Sequence, residues 1–311
     1  MHSDALRLVL PPGSDWPGLA LRADLHRPEG SPRALLFCLA GGGANRGYFN
    51  LGDADNRDFS FAERMTAQGF AVAAIDIPGV GGSETPPDFD RFSPRDAAAV
   101  LHDALAVLHR QAGLAAPVIG LGHSMGGMLI ILQQAHFGDF AAVALLGSNA
   151  SGLDWALTAA ERAYAHDEAA VAHDLPALVA ARFGSAFDPM QVKPGAGAIF
   201  AGESREATQL LRSARDRLFN AGAMQSMIPG SLASEAGAIR CPLFLASGDK
   251  DIGAPPREAI AAFPDVAEAL LLILPATGHN HFGFASIALL CGKLAGWIDF
   301  TLKGSPDEFA A

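Results

Sequence analysis

The sequence predicts an α/β fold: a mostly parallel eight-stranded sheet flanked by helices on both faces, with an inserted helical cap. Three observations predict it. Short apolar runs with the length and flanks of fully buried strands recur along the 311 residues. Helix-like segments separate them, and such alternation builds a parallel sheet through right-handed crossovers. One block, residues 151–238, breaks the rhythm; it is Ala-rich, favours helix over 156–170 and 206–221, and offers no convincing strand.

Taken in order, residues 6–10 and 19–26 read as two strands separated by Pro-Pro-Gly and Trp-Pro-Gly turns, an antiparallel hairpin at a sheet edge. Fully buried strands are expected at 34–39, 70–77, 117–121, 141–146, 242–246 and 269–274. The clearest helix starts at Ser93-Pro94, an N-cap followed by a favoured first residue, and Leu101, Leu105, Leu108 and Ala112 then share one face. A second helix covers 128–136. The expected organisation is a core of residues 1–150 and 239–311, with 151–238 as a cap over the carboxyl edge of the sheet.

Half of the residues are apolar, enough for one sizeable core. The balance of 22 Lys+Arg against 33 Asp+Glu gives a net charge of −11 without a basic cluster, which argues against nucleic acid or an anionic membrane surface as a partner. The first residues carry no basic and apolar leader pattern, and no run of apolar residues is long enough to span a bilayer. A cytoplasmic location is expected. Cys38, Cys241 and Cys291 are far apart and form no C-x-x-C, so neither a disulfide framework nor a zinc site is suggested; Cys38 reads as a small buried hydrophobe.

Chemistry enters at Gly122-His123-Ser124-Met125-Gly126-Gly127, directly after the run 117–121, where a strand, a sharp turn and a helix start meet. The G-x-S-x-G spacing has a mechanical cause: a serine strained between strand and helix leaves no room for side chains two positions either side. A serine hydroxyl is a poor nucleophile near neutral pH and needs a base, with a carboxylate to orient that base. Two downstream segments supply both, each just past a predicted strand's carboxyl end, where ligands gather in doubly wound sheets. One holds Asp249 and Asp251 within 247–255; the other holds His279 and His281 within 275–281.

On these residues the chain resembles an α/β-hydrolase-fold serine hydrolase, from about residue 19 to residue 303 apart from the cap. Four signatures carry the likeness: Ala40-Gly41-Gly42-Gly43 after the third strand; Asp76-Ile77-Pro78-Gly79-Val80-Gly81-Gly82-Ser83; the serine turn; and the Gly-x-x-Asp and Gly-His sites. The order Ser, acid, His is that fold's. The resemblance implies Ser124 as nucleophile and His279 as base, since Gly278-His279 fits the pattern better than His281, which is left as a wall or structural residue. It implies Asp251 as acid, because Gly248-x-x-Asp251 followed by Pro255 fits better than the rival Asp249. His123 would pack beside the turn. The oxyanion hole would be Met125 and Gly42, with Gly43 able to substitute, although Ala40-Gly41 stands where the commonest form has His-Gly. Asp76 and its glycine-rich bend would be structural; the loop lacks the Gly-Lys-Ser/Thr ending of a phosphate cradle.

The activity implied is hydrolysis of a small-molecule ester or thioester through an acyl-enzyme, without cofactor or metal, and with oligomeric state open. Carbon-carbon bond hydrolases, acyltransferases, lysophospholipases and metal-free perhydrolases share the same triad. A noncatalytic small-molecule receptor is the reading from a different class.

Several features of the cap and loops are ambiguous. His166-Asp167 and His173-Asp174 mimic a metal motif, but seven helical residues span about 10 Å, too far for ligands that must each lie about 2 Å from one zinc ion. A solvated helix face is expected, ended by Pro176. Phe183, Phe187, Met190, Phe200, Met224 and Met227 could roof an acyl pocket or form the cap's own core. Arg46 and Tyr48 could face the pocket or anchor a loop.

Overall fold

The computed structural model describes residues 2–52, 56–148, 150–185, 187–189 and 201–303. The chain runs β1 (His2–Val9), β2 (Ala20–Arg27), β3 (Leu35–Leu39), α1 (Phe61–Ala67), β4 (Ala71–Ile75), α2 (Pro94–Ala112), β5 (Val118–His123), α3 (Met125–Phe137) and β6 (Ala142–Leu146). Between β6 and the next strand of the main sheet lie α4 (Ala159–Arg162), α5 (Glu168–Phe183), β7 (Phe187–Pro189), α6 (Arg205–Ser213), β8 (Arg217–Phe219), α7 (Asn220–Met227) and α8 (Ala233–Gly237). The chain returns through β9 (Leu243–Gly248), α9 (Pro256–Ala259), β10 (Ala269–Leu274) and α10 (Ile287–Lys303).

Eight strands form one sheet in the order β1-β2-β4-β3-β5-β6-β9-β10. β1 pairs antiparallel with β2 and β2 antiparallel with β4, while every later pairing is parallel. This is the α/β-hydrolase fold. Alternate residues of the central strands feed two cores. Leu35, Phe37, Leu39, Val143 and Leu245 pack with α2 and α3 on one face; Leu36, Cys38, Ile119, Leu121 and Phe244 pack with α1 and α10 on the other. Because both faces are covered, these strands read as continuous apolar runs rather than as alternations. Cys38 is a buried core residue, its thiol pushed well above the ordinary range by burial.

The helix expected after Ser93 forms as α2. Ser93 and Asp96 make a reciprocal capping box, and Gly113 closes the other end at φ 61°. β3 lies between β4 and β5, so the chain leaves it in one direction for β4 and crosses it for β5. That is the switch point of the sheet, where the loops after β3 and β5 part and leave a crevice.

Three expectations need correction. The strand at 269–274 is not fully buried: β10 is the last strand of the sheet, and Leu271 and Ile273 stand 38% and 40% exposed. The segment 151–238 contains strand after all, since β7 pairs antiparallel with β8 over three residues, too few for a period-two pattern to register. Pro176 does not end its helix. It lies inside α5, where a missing N–H forfeits one bond, while Leu175, Leu178 and Val179 around it are buried and hold the helix in place.

Candidate active site

β5 ends at His123, and the next residue, Ser124, has φ 51° and ψ −122°, a conformation costly for any residue with a Cβ, by about 1–3 kcal/mol. The neighbours enforce it. The Ser124 amide donates to the Leu146 carbonyl at 2.9 Å, and the Gly127 amide donates to the Ser124 carbonyl at 2.9 Å. A Cβ on Gly122 would lie 2.4 Å from the Gly127 Cα, and one on Gly126 would lie 2.3 Å from the Leu39 carbonyl oxygen. Both glycines of the G-x-S-x-G pattern are thus required by contact. Ser124 also stands at the N-terminus of α3, whose first amides have no partner within the helix and favour developing negative charge.

The loops after β9 and β10 deliver the other groups. His279 Nδ1 lies 2.6 Å from Asp251 Oδ1, and its Nε2 lies 2.9 Å from Ser124 Oγ. One tautomer satisfies both contacts: Nδ1–H donates to the carboxylate and Nε2 accepts from the hydroxyl. The Ile252 amide also donates to Asp251 Oδ1 at 2.7 Å, and His281 Nε2 lies 2.8 Å from Asp251 Oδ2. Burial works to raise the Asp251 pKa, but the hydrogen bonds and charge interactions with His279 and His281 outweigh it and hold the carboxyl well below the usual range.

Asp249 has a different task. Its carboxylate accepts from the Ala276 amide at 2.9 Å and the Thr277 amide at 3.0 Å, bracketing the β9 loop to the loop that carries His279. His123 Nε2–H donates to the His279 carbonyl at 2.8 Å, and its ring lies 4.7 Å from that of Tyr48. Burial, then the neighbouring His279 and His281, push the His123 pKa well below its ordinary value, so this ring stays neutral and pins the backbone of His279.

The glycine loop after β3 faces Ser124. A Cβ on Gly42 would lie 3.7 Å from Met125 Sδ and 2.7 Å from Leu218 Cδ1, so Gly42 sits beside the residue that follows the serine and beneath β8. The loop is stitched to that segment. Asn45 N donates to Ala214 O and Asp216 N to Gly43 O, each at 2.9 Å, and Asn45 Nδ2 donates to Asp216 Oδ2 at 3.0 Å. These cross-links join positions about 170 apart in the sequence, and nothing in the sequence pattern announces them.

Two clefts meet at Ser124 and His279. One is lined by Gly41–Gly43, Tyr48, Leu211 and Arg215 among others; the second is lined by Met125, Met128, Leu153, Ser226 and Ile252 among others. Tyr48 faces the first cleft. Arg46 does not reach either; it anchors a loop, its amide and guanidinium bound to Asp76 and its Nε 2.9 Å from Asp24. Asp76 also accepts from the Gly82 amide at 2.8 Å, the structural role expected of it. Met224 belongs to a core with Leu157, Val171, Leu175 and Ile228, and Phe183 and Met227 pack against it. Met190, Phe200 and the Phe187 side chain lie outside the described residues. His173 is exposed and His166 sits in the turn before α5; among the described residues no group of His, Cys, Asp or Glu is arranged to hold a metal ion.

Residues 35–286 match the model of a family described as the alpha/beta hydrolase family. The chain belongs to that family. No curated protein matches it. Among solved structures it is similar to a thermophilic esterase from Thermogutta terrifontis with malate bound, at 14% identity and TM-score 0.60 over 96% of this chain and 99% of the other. It is also similar to DcsB in complex with a substrate analogue, at 14% identity and TM-score 0.66 over 97% and 100%. A variant of the N-acyl homoserine lactonase AidH, complexed with N-hexanoyl homoserine lactone, gives 17% identity and TM-score 0.59 over 97% and 99%. This hydrolase has no described helix long and apolar enough to cross a membrane.

Proposed function

We propose that the chain is a serine hydrolase that cleaves a small-molecule ester or thioester, lactones included, through an acyl-enzyme. The unbroken relay from Ser124 Oγ to His279 to Asp251, at 2.9 and 2.6 Å, carries this reading. Ser124 Oγ attacks the carbonyl carbon while His279 Nε2 takes its proton. The Met125 and Gly42 amides receive the oxyanion, and donors of this kind are worth about 10²–10³ in rate each. Collapse breaks the bond to the alcohol or thiol, which leaves with the proton from His279. Water, deprotonated by the same nitrogen, then releases the acid. Asp251 holds the imidazole in its tautomer and stabilises the imidazolium.

In this reading residues 151–238 act as a cap: Leu211, Arg215 and Leu218 come from it to wall the cleft and roof the glycine loop. Three free thiols, Cys38, Cys241 and Cys291, suit the expected cytoplasmic location. The test is labelling with a fluorophosphonate together with turnover of an ester, thioester and lactone panel. Ser124 should be modified promptly and Ser124→Ala should show neither labelling nor turnover; folded wild-type protein that resists the probe and the whole panel would favour a receptor instead.

A further inference from the structure

The carboxylate of Asp251 is held by two imidazoles, and the established logic of a triad accounts for one. We propose that His281 is a positioning residue: its Nε2–H, 2.8 Å from Asp251 Oδ2, holds the carboxylate in the plane that receives His279. This rests on the serine-hydrolase reading above.

The backbone explains how two rings reach one carboxylate. Asn280, between them, has φ −86° and ψ 76°, and the His281 amide donates to the His279 carbonyl at 3.1 Å. That is an inverse γ-turn, which folds residues 279 and 281 back toward each other. The same His279 carbonyl accepts from His123. At the end of β6, Gly147 has φ 55°, and a Cβ there would lie 3.0 Å from Asp251 Oδ2 and 3.3 Å from His281 Cε1. The cluster is closed on that side by backbone alone.

The carboxylate needs this hold because rotation about its last bond is soft. Oδ1 has two good donors, His279 Nδ1 and the Ile252 amide. Oδ2 has His281 and the Gly248 amide at 3.4 Å, a poor hydrogen bond. Without His281 a charged oxygen, in a side chain 3% exposed, would be left to that single long contact.

His281 is fully buried, and its Nδ1 has no hydrogen-bond partner. An imidazolium there would bury a second N–H without an acceptor, so the ring serves as a neutral donor; burial lowers its pKa in the same sense. It faces Asp251 and His279 from the loops after β9 and β10, and His123 at the end of β5, whose ring is 5.6 Å away. Tyr48, stacked on Phe282 and tilted against His123, completes the surroundings. A neutral donor does not oppose the positive charge that His279 acquires during reaction. Its Nε2, engaged by Asp251, is not available to Ser124, which removes His281 from contention as the base.

The experiment compares wild type, His281→Leu and His281→Gln, whose amide nitrogen can restore the donor. Readouts are kcat and KM against pH on an ester turned over by wild type, the fluorophosphonate inactivation rate of Ser124, and the low-field proton resonance of His279 Nδ1–H. For His281→Leu, kcat and the inactivation rate should fall about 10- to 100-fold with KM nearly unchanged, as a misplacement of about 1 Å does. The acid limb should move to higher pH, because a carboxylate without its second donor binds the His279 proton more tightly. The resonance should shift, and His281→Gln should recover most of the rate. Unchanged rate, acid limb and resonance in His281→Leu overturn the proposal. So does a lower melting temperature in both variants without movement of the acid limb, the mark of a merely structural residue. If wild type itself neither labels nor turns over, the hydrolase reading fails, while the resonance still reports whether His281 orients the Asp251–His279 pair.

Discussion

Replacing Asp251 by asparagine separates two duties of the acid in the proposed triad, its charge and its control of the imidazole tautomer. All four contacts to the carboxylate are donors: His279 Nδ1 and Ile252 N on Oδ1, His281 Nε2 and Gly248 N on Oδ2. An amide must set its NH₂ against one pair. On the Oδ1 side it would oppose the Ile252 N–H, which has no alternative form. On the Oδ2 side it opposes only the Gly248 N–H, whose 3.4 Å contact is poor, and meets His281, whose Nδ1 has no partner, so the ring can move its proton there and let Nε2 accept. The amide oxygen then remains on Oδ1's position and His279 keeps its productive tautomer. What is lost is the charge: about 4 kcal/mol for unit charges about 4 Å apart at an effective dielectric of about 20, or about 10³ in rate. The wrong tautomer in a serine protease accompanies a loss of about 10⁴. Asp251→Asn should therefore lower kcat about 10³-fold and Asp251→Ala about 10-fold more, measured by steady-state kinetics on the best ester of the panel. Asp249→Asn, which loosens a bracket between loops, should keep most of the turnover. Equal losses for Asp251→Asn and Asp251→Ala would refute the tautomer argument, and a larger loss for Asp249→Asn would refute the choice of acid.

Two further outcomes concern stability. Ser124→Gly should unfold at a temperature higher by a few degrees while abolishing turnover, since relief of the φ 51° conformation is worth about 1–3 kcal/mol, partly offset by about 0.5–1 kcal/mol of glycine entropy; calorimetry with an unchanged or lower midpoint would mean the turn is unstrained. Burial lowers the pKa of His26, His123 and His281, so the unfolded chain binds more protons and stability should fall as pH drops below about 6.5. Both nitrogens of His26 are buried without hydrogen-bond partners, so His26→Leu should raise the melting temperature and flatten that decline; a steeper decline would contradict it.

The serine turn was legible because its constraint is local. Gly122 and Gly126 are fixed by atoms that any strand-turn-helix brings within reach, and the pattern needs no knowledge of the rest of the chain. Buried strands were legible for a related reason, since covering both faces writes a run of apolar residues into each. Exposure of β10 was not, because ALLLIL reads alike in the middle of a sheet and at its edge, and the strand order decides which it is.

The division of labour between Asp249 and Asp251, and between His279 and His281, shows where sequence reading stops. Both acids lie in the same seven-residue loop, and both histidines follow the same strand. Each of the four groups is engaged in the structure: Asp249 with two amides, His281 with the acid's second oxygen. The residues that failed to be chosen for the relay are the ones that hold its loops and its carboxylate in register. A spacing rule ranks candidates by resemblance and leaves the others as bystanders, whereas a buried carboxylate with four donors requires them. The same physics governs the glycine loop, which is held by hydrogen bonds to Ala214 and Asp216, residues that no spacing rule within the motif points to.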